Sequence, residues 1–319
     1  MLYGEGKYTY EVVEGWAKHP EGWEFRDVCH LAIDSQDRVY VLNRGAHPIQ
    51  VYDPDGNLLA GWDEKIRGHG CSIGPDDCFY LAESHQHTVS KYSLDGKLLM
   101  TLGNKGQPSD TGYRTIGKHF ESCRTVTRAG APFNGPSDVA VSPSTGKIYV
   151  SDGAANCRVH KFSPEGKLLL SWGEPGYEEG QFRIPESVWV DKQERVYVCD
   201  RENDRVQIFD AQGRFLSQWL GLSRPTDIFI DDEDIVYVTE YNARLSIFNI
   251  AGELLARWGD GWVLMFGFEN KEEEEAALWA VPHGVIVDSK GDMYVGDVGL
   301  SNIKSDRGPK TLLKFVRRS

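Results

Sequence analysis

The sequence predicts an all-β fold, a six-bladed β-propeller whose last blade is closed by the N-terminal strand. Three observations support this prediction. Six segments repeat one pattern of short apolar strands separated by turns. The segments recur roughly every 40 to 70 residues, a spacing typical of propeller blades. The sixth segment lacks its fourth strand, and a matching segment stands at the N-terminus.

The repeats contain the same strands in the same order, except that the sixth repeat lacks the fourth strand. The first strands read CHLAID, GHGCSIG, PSDVAV, PESVWVD, PTDIFID and PHGVIVD, and the second strands RVYVLN, CFYLAE, KIYVSD, RVYVCD, IVYVTE and DMYVGD. A third strand follows, and a glycine-containing turn then leads to a fourth, as in PEGKLLLSWG. The glycine permits the positive φ that a tight hairpin requires. Six four-stranded repeats of this kind indicate a propeller.

The two ends of the chain complement each other. The sixth repeat stops after its third strand, LLKFV, whereas YTYEVVEGW near the N-terminus resembles the fourth strands of the other repeats. Pairing these two segments would close the ring and remove an open sheet edge. We therefore expect residues 1–319 to form a single propeller domain.

Composition and charge exclude several classes of function. The net charge of −13 argues against a nucleic-acid partner, and no window of about 18 apolar residues is available to span a membrane. The N-terminus lacks the basic and apolar regions of a signal peptide. Because the six cysteines show no CxxC spacing, we expect reduced thiols and a cytoplasmic protein.

The residue just before each first strand should face the central channel of a propeller. In chain order these residues are His30, His69, Ser137, Glu186, Thr226 and His283. Repeats two, four and six contribute His69, Glu186 and His283, which would converge on the axis. Two imidazoles and one carboxylate suit one divalent transition metal, with Zn²⁺ first and Fe²⁺ or Mn²⁺ as alternatives. His30 fits equally a hydrogen-bond donor behind the ligands, a further ligand or a packed histidine.

The loops after the second strands should return to the same rim. Arg44 and Arg201 lie in two of these loops and would either grip a carboxylate by paired hydrogen bonds or form salt bridges to adjacent acidic residues. Tyr241 is a candidate proton donor or acceptor, with a stacking role as the alternative. Two long linkers, Gly103–Gly135 and Gly259–Val281, are expected to be functional or lid-like.

The repeats resemble the NHL repeat family. The stretch from Pro136 to Phe209, including PSDVAVSPSTGKIYVSD, GQFRIPESVWVD and VCDRENDRVQIF, further resembles peptidyl-α-hydroxyglycine α-amidating lyase. Weaker matches to that family occur at GHGCSIG and VPHGVIVD. The resemblance implies a six-bladed propeller that cleaves the C–N bond of an α-hydroxyglycine to give an amide and glyoxylate.

The resemblance also assigns residues, and several of them differ from the family pattern. His69 and His283 match two of the three zinc-binding histidines of the lyases, and Glu186 stands at the third. Arg44 and Arg201 match the two substrate-binding arginines. The family's catalytic tyrosine falls at Ala154, and its calcium-binding aspartate at Gly284. The resemblance therefore implies a relative with altered chemistry.

The leading functional hypothesis is a metal-dependent lyase, or secondly a hydrolase, that acts on a small carboxylate-bearing substrate at the propeller rim. Arg44 and Arg201 would orient the substrate, and Tyr241 or His30, or Tyr113 of the first linker, would transfer a proton. Two alternatives belong to other classes. One is a non-catalytic propeller that binds a protein partner, and the other is a calcium-dependent, lactonase-like enzyme.

Overall fold

A computed structural model describes residues 2–62, 66–259 and 267–318 of the chain. Six antiparallel sheets of four or five strands dominate these residues, and the helices among them are short. The all-β, six-bladed propeller fold predicted from the repeats is confirmed.

The blades follow the repeats in chain order. Blade 1 contains β3 (Val28–Ile33), β4 (Val39–Asn43), β5 (Ile49–Tyr52) and β6 (Leu58–Gly61). Blade 2 contains β7 (Gly70–Ile73), β8 (Cys78–Glu83), β9 (Thr88–Ser93) and β10 (Leu98–Gly103). Blade 3 contains β11 (Asp138–Val141), β12 (Ile148–Asp152), β13 (Arg158–Phe162) and β14 (Leu168–Trp172).

The later blades repeat this arrangement. A short parallel pair, β15 (Glu174–Pro175) and β16 (Gln181–Phe182), precedes blade 4. Blade 4 contains β17 (Pro185–Val190), β18 (Val196–Asp200), β19 (Arg205–Phe209) and β20 (Phe215–Trp219). Blade 5 contains β21 (Pro225–Ile230), β22 (Ile235–Glu240), β23 (Arg244–Asn249) and β24 (Leu254–Trp258). Blade 6 contains β25 (Pro282–Val287), β26 (Met293–Asp297), β27 (Leu312–Arg318), β2 (Tyr8–Val13) and β1 (Leu2–Glu5).

The N-terminal strand closes blade 6 as predicted. Strand β2 pairs antiparallel with β27, from Thr9 opposite Arg318 to Val13 opposite Lys314. The structure adds a fifth strand, β1, which the repeat pattern does not predict. Gly6, with φ of 53°, begins the tight turn that joins β1 to β2.

The helices lie in the connections between strands. The α-helices are α1 (His119–Cys123), α2 (Lys271–Ala276) and α3 (Gly299–Ile303), and 3-10 turns cover Ser84–Gln86, Arg201–Asn203 and Gly308–Thr311. No helix within the described ranges has the length and apolarity needed to cross a membrane. Helix α1 belongs to the linker Gly103–Gly135 and α2 to the linker Gly259–Val281. Residues 260–266 of the second linker, with most of its apolar WVLMFGF segment, lie outside the described part of the chain.

The chain divides into two compact units. The first comprises Met1–Ile66 with Thr226–Ser319, and the second comprises Arg67–Pro225. Blades 1, 5 and 6 belong to the first unit and blades 2, 3 and 4 to the second. That all six blades make one domain stays a prediction. Within the second unit, Tyr149, Val188, Val198 and Phe209 share one buried cluster, as the alternating strand pattern requires.

Buried aspartates fix the segment that leads into a first strand. Asp152, at the end of β12, accepts the N–H of Asn134 at 2.9 Å. Asp200 accepts the N–H of Arg183 at 2.7 Å, and Asp297 that of Ala280 at 2.7 Å. In each case the carboxylate at the end of a second strand holds the backbone shortly before a first strand. The backbone that leads into each of these first strands is therefore held by a hydrogen bond to a buried carboxylate.

Candidate metal centre

His69 is held in one tautomer at the entrance to blade 2. Its backbone N–H donates to Ala82 O at 2.8 Å, and its Nδ1 lies 3.0 Å from Ser137 O. Because a carbonyl oxygen only accepts, Nδ1 carries a proton, and Nε2 carries the lone pair whenever the ring is neutral. A metal-binding histidine is oriented in this way, with its second nitrogen donating to a carbonyl or carboxylate.

Glu186 lies at an irregularity of β17 that sets the direction of its side chain. Pro185 pairs with Asp200 and Ser187 with Cys199, so that the register shifts at Glu186. A bulge of this kind re-aims a side chain relative to the ladder. The Glu186 side chain is only 3% exposed, and its Oε1 lies 3.5 Å from His69 Nε2.

Arg201 begins the 3-10 turn after β18 and is buried between two carboxylates. Its Nη1 lies 3.0 Å from Glu186 Oε1, and its Nε lies 3.2 Å from Glu202 Oε1. Arg224 also donates to Glu202, from its Nε at 3.0 Å. Arg201 therefore forms the salt bridges that were predicted as the alternative to anion binding, and an incoming anion would compete with these carboxylates for the guanidinium.

The His69 and Glu186 pair fits two ligands of a divalent cation. With its proton on Nδ1, His69 directs the Nε2 lone pair at a carboxylate oxygen 3.5 Å away. Two acceptors facing each other at this distance repel, and either a cation between them or a second proton on the imidazole removes the repulsion. Imidazole nitrogen and carboxylate oxygen are ligands that Zn²⁺, Fe²⁺ and Mn²⁺ accept.

His283 has the same tautomer in the other unit. It is the second residue of β25, where the register shifts between Pro282 and Val285. Its Nδ1 lies 2.7 Å from Cys29 O, which again puts the proton on Nδ1 and the lone pair on Nε2. The residue is 4% exposed. Within its own unit, His283 therefore has the orientation that a metal-binding histidine requires, and its role as a ligand stays a prediction.

His30 has a different environment in this unit. Its Nδ1 lies 3.1 Å from Leu31 O, and its Nε2 lies 3.2 Å from Asp227 Oδ1. Since both neighbours are acceptors, both contacts are hydrogen bonds only when the imidazole carries two protons. Asp227 in turn accepts the N–H of Val285 in β25 at 2.9 Å. The contact with Asp227 is compatible with the packed alternative for His30, and the choice among its three roles stays a prediction.

Arg44 and Tyr241 both contact helix α3. Arg44 Nη1 donates to Ser301 Oγ at 3.0 Å, and the Tyr241 hydroxyl donates to Asn302 Oδ1 at 3.1 Å. Both residues are half-exposed. Helix α3 therefore orients the predicted anion-binding arginine and the predicted proton-transfer tyrosine.

The linker Gly103–Gly135 walls a cavity of about 510 Å³ against blades 2 and 3 in the second unit. The histidines that line it are His85, His87 and His119, and Tyr113 and Ala154 line it as well. Ala154 is the position at which the lyase resemblance expects a catalytic tyrosine. The cavity therefore has space beside Ala154 and several side chains that can exchange protons.

His119 was not among the predicted site residues. It begins α1, and the sulfur of Cys123, one turn later, lies 3.4 Å from its Nε2. Protein atoms around the imidazole lower the pKa of His119, and the Arg201 charge lowers it further, while Glu186 and Glu202 act in the opposite direction. The spacing of four residues on a short helix is the one sequence signal that associates His119 with Cys123.

Comparison with known proteins identifies the family. The NHL repeat profile matches residues 133–162 and 182–209. NHL repeat-containing protein 3 of Homo sapiens is 30% identical over 318 residues, which cover 93% of this chain and 84% of that protein. Peptidyl-glycine alpha-amidating monooxygenase B of Xenopus laevis is 30% identical over 288 residues, but the match covers only 30% of its length. Peptidyl-alpha-hydroxyglycine alpha-amidating lyase 1 of Drosophila melanogaster is 28% identical, with 83% of this chain and 47% of that protein covered.

Solved structures support the fold. A gluconolactonase from Xanthomonas campestris superimposes with a TM-score of 0.61 at 13% identity, covering 97% of this chain and 90% of that one. A streptogramin B lyase superimposes with a TM-score of 0.59 at 12% identity, covering 97% and 98%. At these identities the likeness concerns the fold alone. From the repeat profile and the near full-length relative, the chain belongs to the NHL repeat family, with amidating lyases among its homologues.

Proposed function

We propose that this protein is a metal-dependent lyase that acts on a small carboxylate-bearing substrate, with a hydrolase as the second choice. The observation that carries the proposal is the lone pair of His69 Nε2 directed at the Glu186 carboxylate from 3.5 Å. We further propose that His283 supplies the third ligand, since its Nδ1 is also committed to a carbonyl. Zn²⁺ is the first choice of metal, and Fe²⁺ or Mn²⁺ follow.

When bound, the metal would supply a Lewis acid for a substrate hydroxyl or carbonyl. The lyase class is supported by the 28% identity to the Drosophila amidating lyase over most of this chain. A glutamate in the place of a histidine lowers the net charge of the site, so the metal would be a weaker Lewis acid than with three neutral ligands. This difference favours altered chemistry over amidating-lyase activity.

An anionic substrate is supported by the buried guanidinium of Arg201, whose Nη1 lies 3.0 Å from Glu186 Oε1 of the candidate centre. We propose that the substrate carboxylate binds Arg201 by displacing Glu202, because Glu202 keeps Arg224 as a partner when Arg201 leaves it. Arg44 would be the second anion-binding group, as the resemblance implies.

One observation favours a second candidate, the non-catalytic propeller with a protein partner. Arg201 already compensates the charge of Glu186 at 3.0 Å, so the pair is also compatible with a purely structural ion pair. A protein of this class would bind no transition metal and would keep its partner after His69→Ala. The third candidate, the calcium-dependent lactonase-like enzyme, would require a site built mainly of oxygen ligands.

Metal content tests the proposal. The full chain is purified without chelator or nickel resin, and its metals are measured by elemental analysis. We expect about one equivalent of zinc, iron or manganese in the wild type, and loss of most of it in His69→Ala and Glu186→Ala. His19→Gln, in a histidine that packs against Phe25, is the matched control. A wild type without a stoichiometric transition metal refutes the proposal.

A further inference from the structure

We infer that a cavity beside blade 3 binds the phosphate group of a small molecule through Arg158 and Arg128. The cavity has a volume of about 620 Å³ and lies in the second unit, where the end of the linker Gly103–Gly135 meets β13 and residues 173–180. None of the residues proposed as metal ligands lines it. The inference therefore goes beyond the proposed function and does not depend on it.

The first observation is that Arg158 lacks the ion pair that its repeat equivalents form. In blades 4 and 5, the arginine that begins the third strand pairs with the acidic residue that ends the second strand, as Arg205 with Asp200 and Arg244 with Glu240. Arg158 begins β13 and stands opposite Asp152, which ends β12. Among the described residues, however, no carboxylate forms an ion pair with Arg158, whose one hydrogen bond is to a carbonyl oxygen.

Asp152 does not need Arg158 because it has other partners. Its carboxylate accepts the backbone N–H of Asn134 at 2.9 Å and the side-chain N–H of Asn156 at 2.7 Å. The carboxylate also lies 3.3 Å from His160 Nε2. Blade 3 thus satisfies the carboxylate at the end of β12 without an arginine, and Arg158 is not required for the role that Arg205 has in blade 4.

The Arg158 guanidinium has hydrogen-bonding capacity that the fold does not use. Of its N–H groups, only that of Nη2 has an acceptor among the described residues, Ser171 O at 3.5 Å. Nε is buried without a hydrogen-bond partner. A half-buried cation with so few partners is costly. An oxyanion in the cavity would supply the charge and the acceptors that the guanidinium lacks.

Arg128 adds a second positive charge to the cavity wall, next to the hydroxyl group of Thr127. Arg128 pairs with Asp110, but the two side chains are 54% and 79% exposed. Water screens such a pair, so that an incoming anion competes with it easily. Among the described lining residues the acidic side chain is that of Glu174, and its Oε1 accepts an N–H of Gln181 at 3.0 Å. Two guanidinium groups therefore face one carboxylate that already has a partner.

These donors suit a phosphate group better than a carboxylate. A phosphate monoester carries a charge of about −1.5 to −2 at pH 7 and three strong acceptor oxygens, and arginine binds such oxygens by paired hydrogen bonds. The volume of about 620 Å³ falls in the range of about 300 to 1,000 Å³ that is typical of small-molecule sites. The cavity thus has room for the molecule that bears the phosphate.

Isothermal titration calorimetry of the full chain, in a buffer without phosphate or sulfate, tests the inference. The probe is phenyl phosphate, and we expect about one equivalent to bind. Arg158→Gln should raise the Kd by about 10- to 100-fold, because hydrogen bonds to a charged group are lost. Arg128→Gln should raise it by about 2- to 5-fold, as expected for an exposed charge. The matched control is Arg214→Gln, in an arginine whose side chain is 76% exposed, and its Kd should equal that of the wild type.

Two further ligands define the chemical class. Benzoate, which replaces the phosphate by a carboxylate, should bind more weakly than phenyl phosphate, and a benzoate Kd as low as that of phenyl phosphate contradicts the assignment to a phosphate. Inorganic phosphate should also bind more weakly. If it binds as tightly as phenyl phosphate, the ligand is the free ion and the assignment to a phosphorylated molecule is wrong.

The inference is overturned if phenyl phosphate shows no saturable binding, or if its Kd is the same in wild type and Arg158→Gln. Arg158→Lys keeps the charge but loses the planar pair of donors, so it should also raise the Kd, and it decides the question if Arg158→Gln does not fold. Because phosphates also coordinate metals, the titration is repeated with His69→Ala, in which binding should persist. Binding that is lost in His69→Ala and kept in Arg158→Gln belongs to the metal centre, which overturns this inference and leaves the metal proposal intact.

Discussion

Replacement of Glu186 by glutamine should reveal an energetic coupling with Arg201. The two side chains are 3% and 8% exposed, and their charged atoms are 3.0 Å apart. Removing one partner of such a buried pair costs about 3 to 5 kcal/mol. Arg201 retains Glu202 at 3.2 Å, so we expect Glu186→Gln to cost about 3 kcal/mol, at the lower end of that range.

A double-mutant cycle isolates this coupling. Glu186→Gln and Arg201→Gln together should destabilise by about 2 kcal/mol less than the sum of the single variants. The free energies of unfolding are measured by urea denaturation with tryptophan fluorescence, in the presence of a chelator so that metal does not contribute. The control is Glu275→Gln in the exposed Lys271–Glu275 pair, with side chains 84% and 69% exposed, where the expected change is below about 0.5 kcal/mol. If the two site substitutions are additive within about 0.5 kcal/mol, the buried ion pair is not coupled and our reasoning about Arg201 is wrong.

Three further predictions concern other parts of the chain. Deletion of residues 2–13 removes β2 with its fully buried Tyr10 and should cost most of a typical unfolding free energy of about 5 to 15 kcal/mol. Deletion of residues 2–5 should cost far less. If the 2–13 deletion has the same melting temperature as the wild type, the closure of blade 6 by β2 is contradicted. Because the pKa of His119 is lowered in the folded state, folding favours the neutral ring. As the pH falls from about 7 to 5, the unfolding free energy of the wild type should therefore decrease more steeply than that of His119→Gln. Unfolding free energies from urea denaturation that change equally with pH in both proteins would contradict this. Arg44→Gln should raise the Kd for N-benzoylglycine, a small carboxylate-bearing probe, by about 10- to 100-fold, because a hydrogen bond to a charged group is lost. An unchanged Kd would show that Arg44 does not bind the carboxylate.

The blade arrangement was predictable because it depends on local patterns that repeat. The alternation in VQIF and RVYVCD and the glycine turns define strands without knowledge of distant contacts. The missing fourth strand of the last repeat likewise pointed to β2. Strand β1 was not predicted because it has no counterpart in the other repeats, and the pattern of its four residues is too short to distinguish from a loop.

The repeat register predicts where the candidate site residues lie along the chain, but it does not predict their charged partners. Repeat register identified His69, Glu186 and His283 at the entrances of first strands, and the bulges that aim Glu186 and His283 are properties of strand pairing. Asp227, the partner of His30, belongs to another blade, so a single repeat does not encode that contact. Arg201 and its partner Glu186 belong to one repeat, but their ion pair depends on the side-chain conformations, which the repeat pattern does not predict. His119 was not predicted as a site residue because it lies in a linker outside the repeat register. There the only sequence signal is its spacing of four residues from Cys123.

The most direct test of the central claim is the X-ray absorption spectrum of the metal in the purified protein, recorded at the zinc edge and compared between wild type and Glu186→Gln. We predict a first coordination shell with two imidazole nitrogens at about 2.0 to 2.1 Å and a carboxylate oxygen at about 2.0 to 2.2 Å. The oxygen contribution should decrease in Glu186→Gln, and one imidazole should be lost in His283→Ala. A spectrum with sulfur ligands, or one that both substitutions leave unchanged, would contradict a metal held by His69, Glu186 and His283.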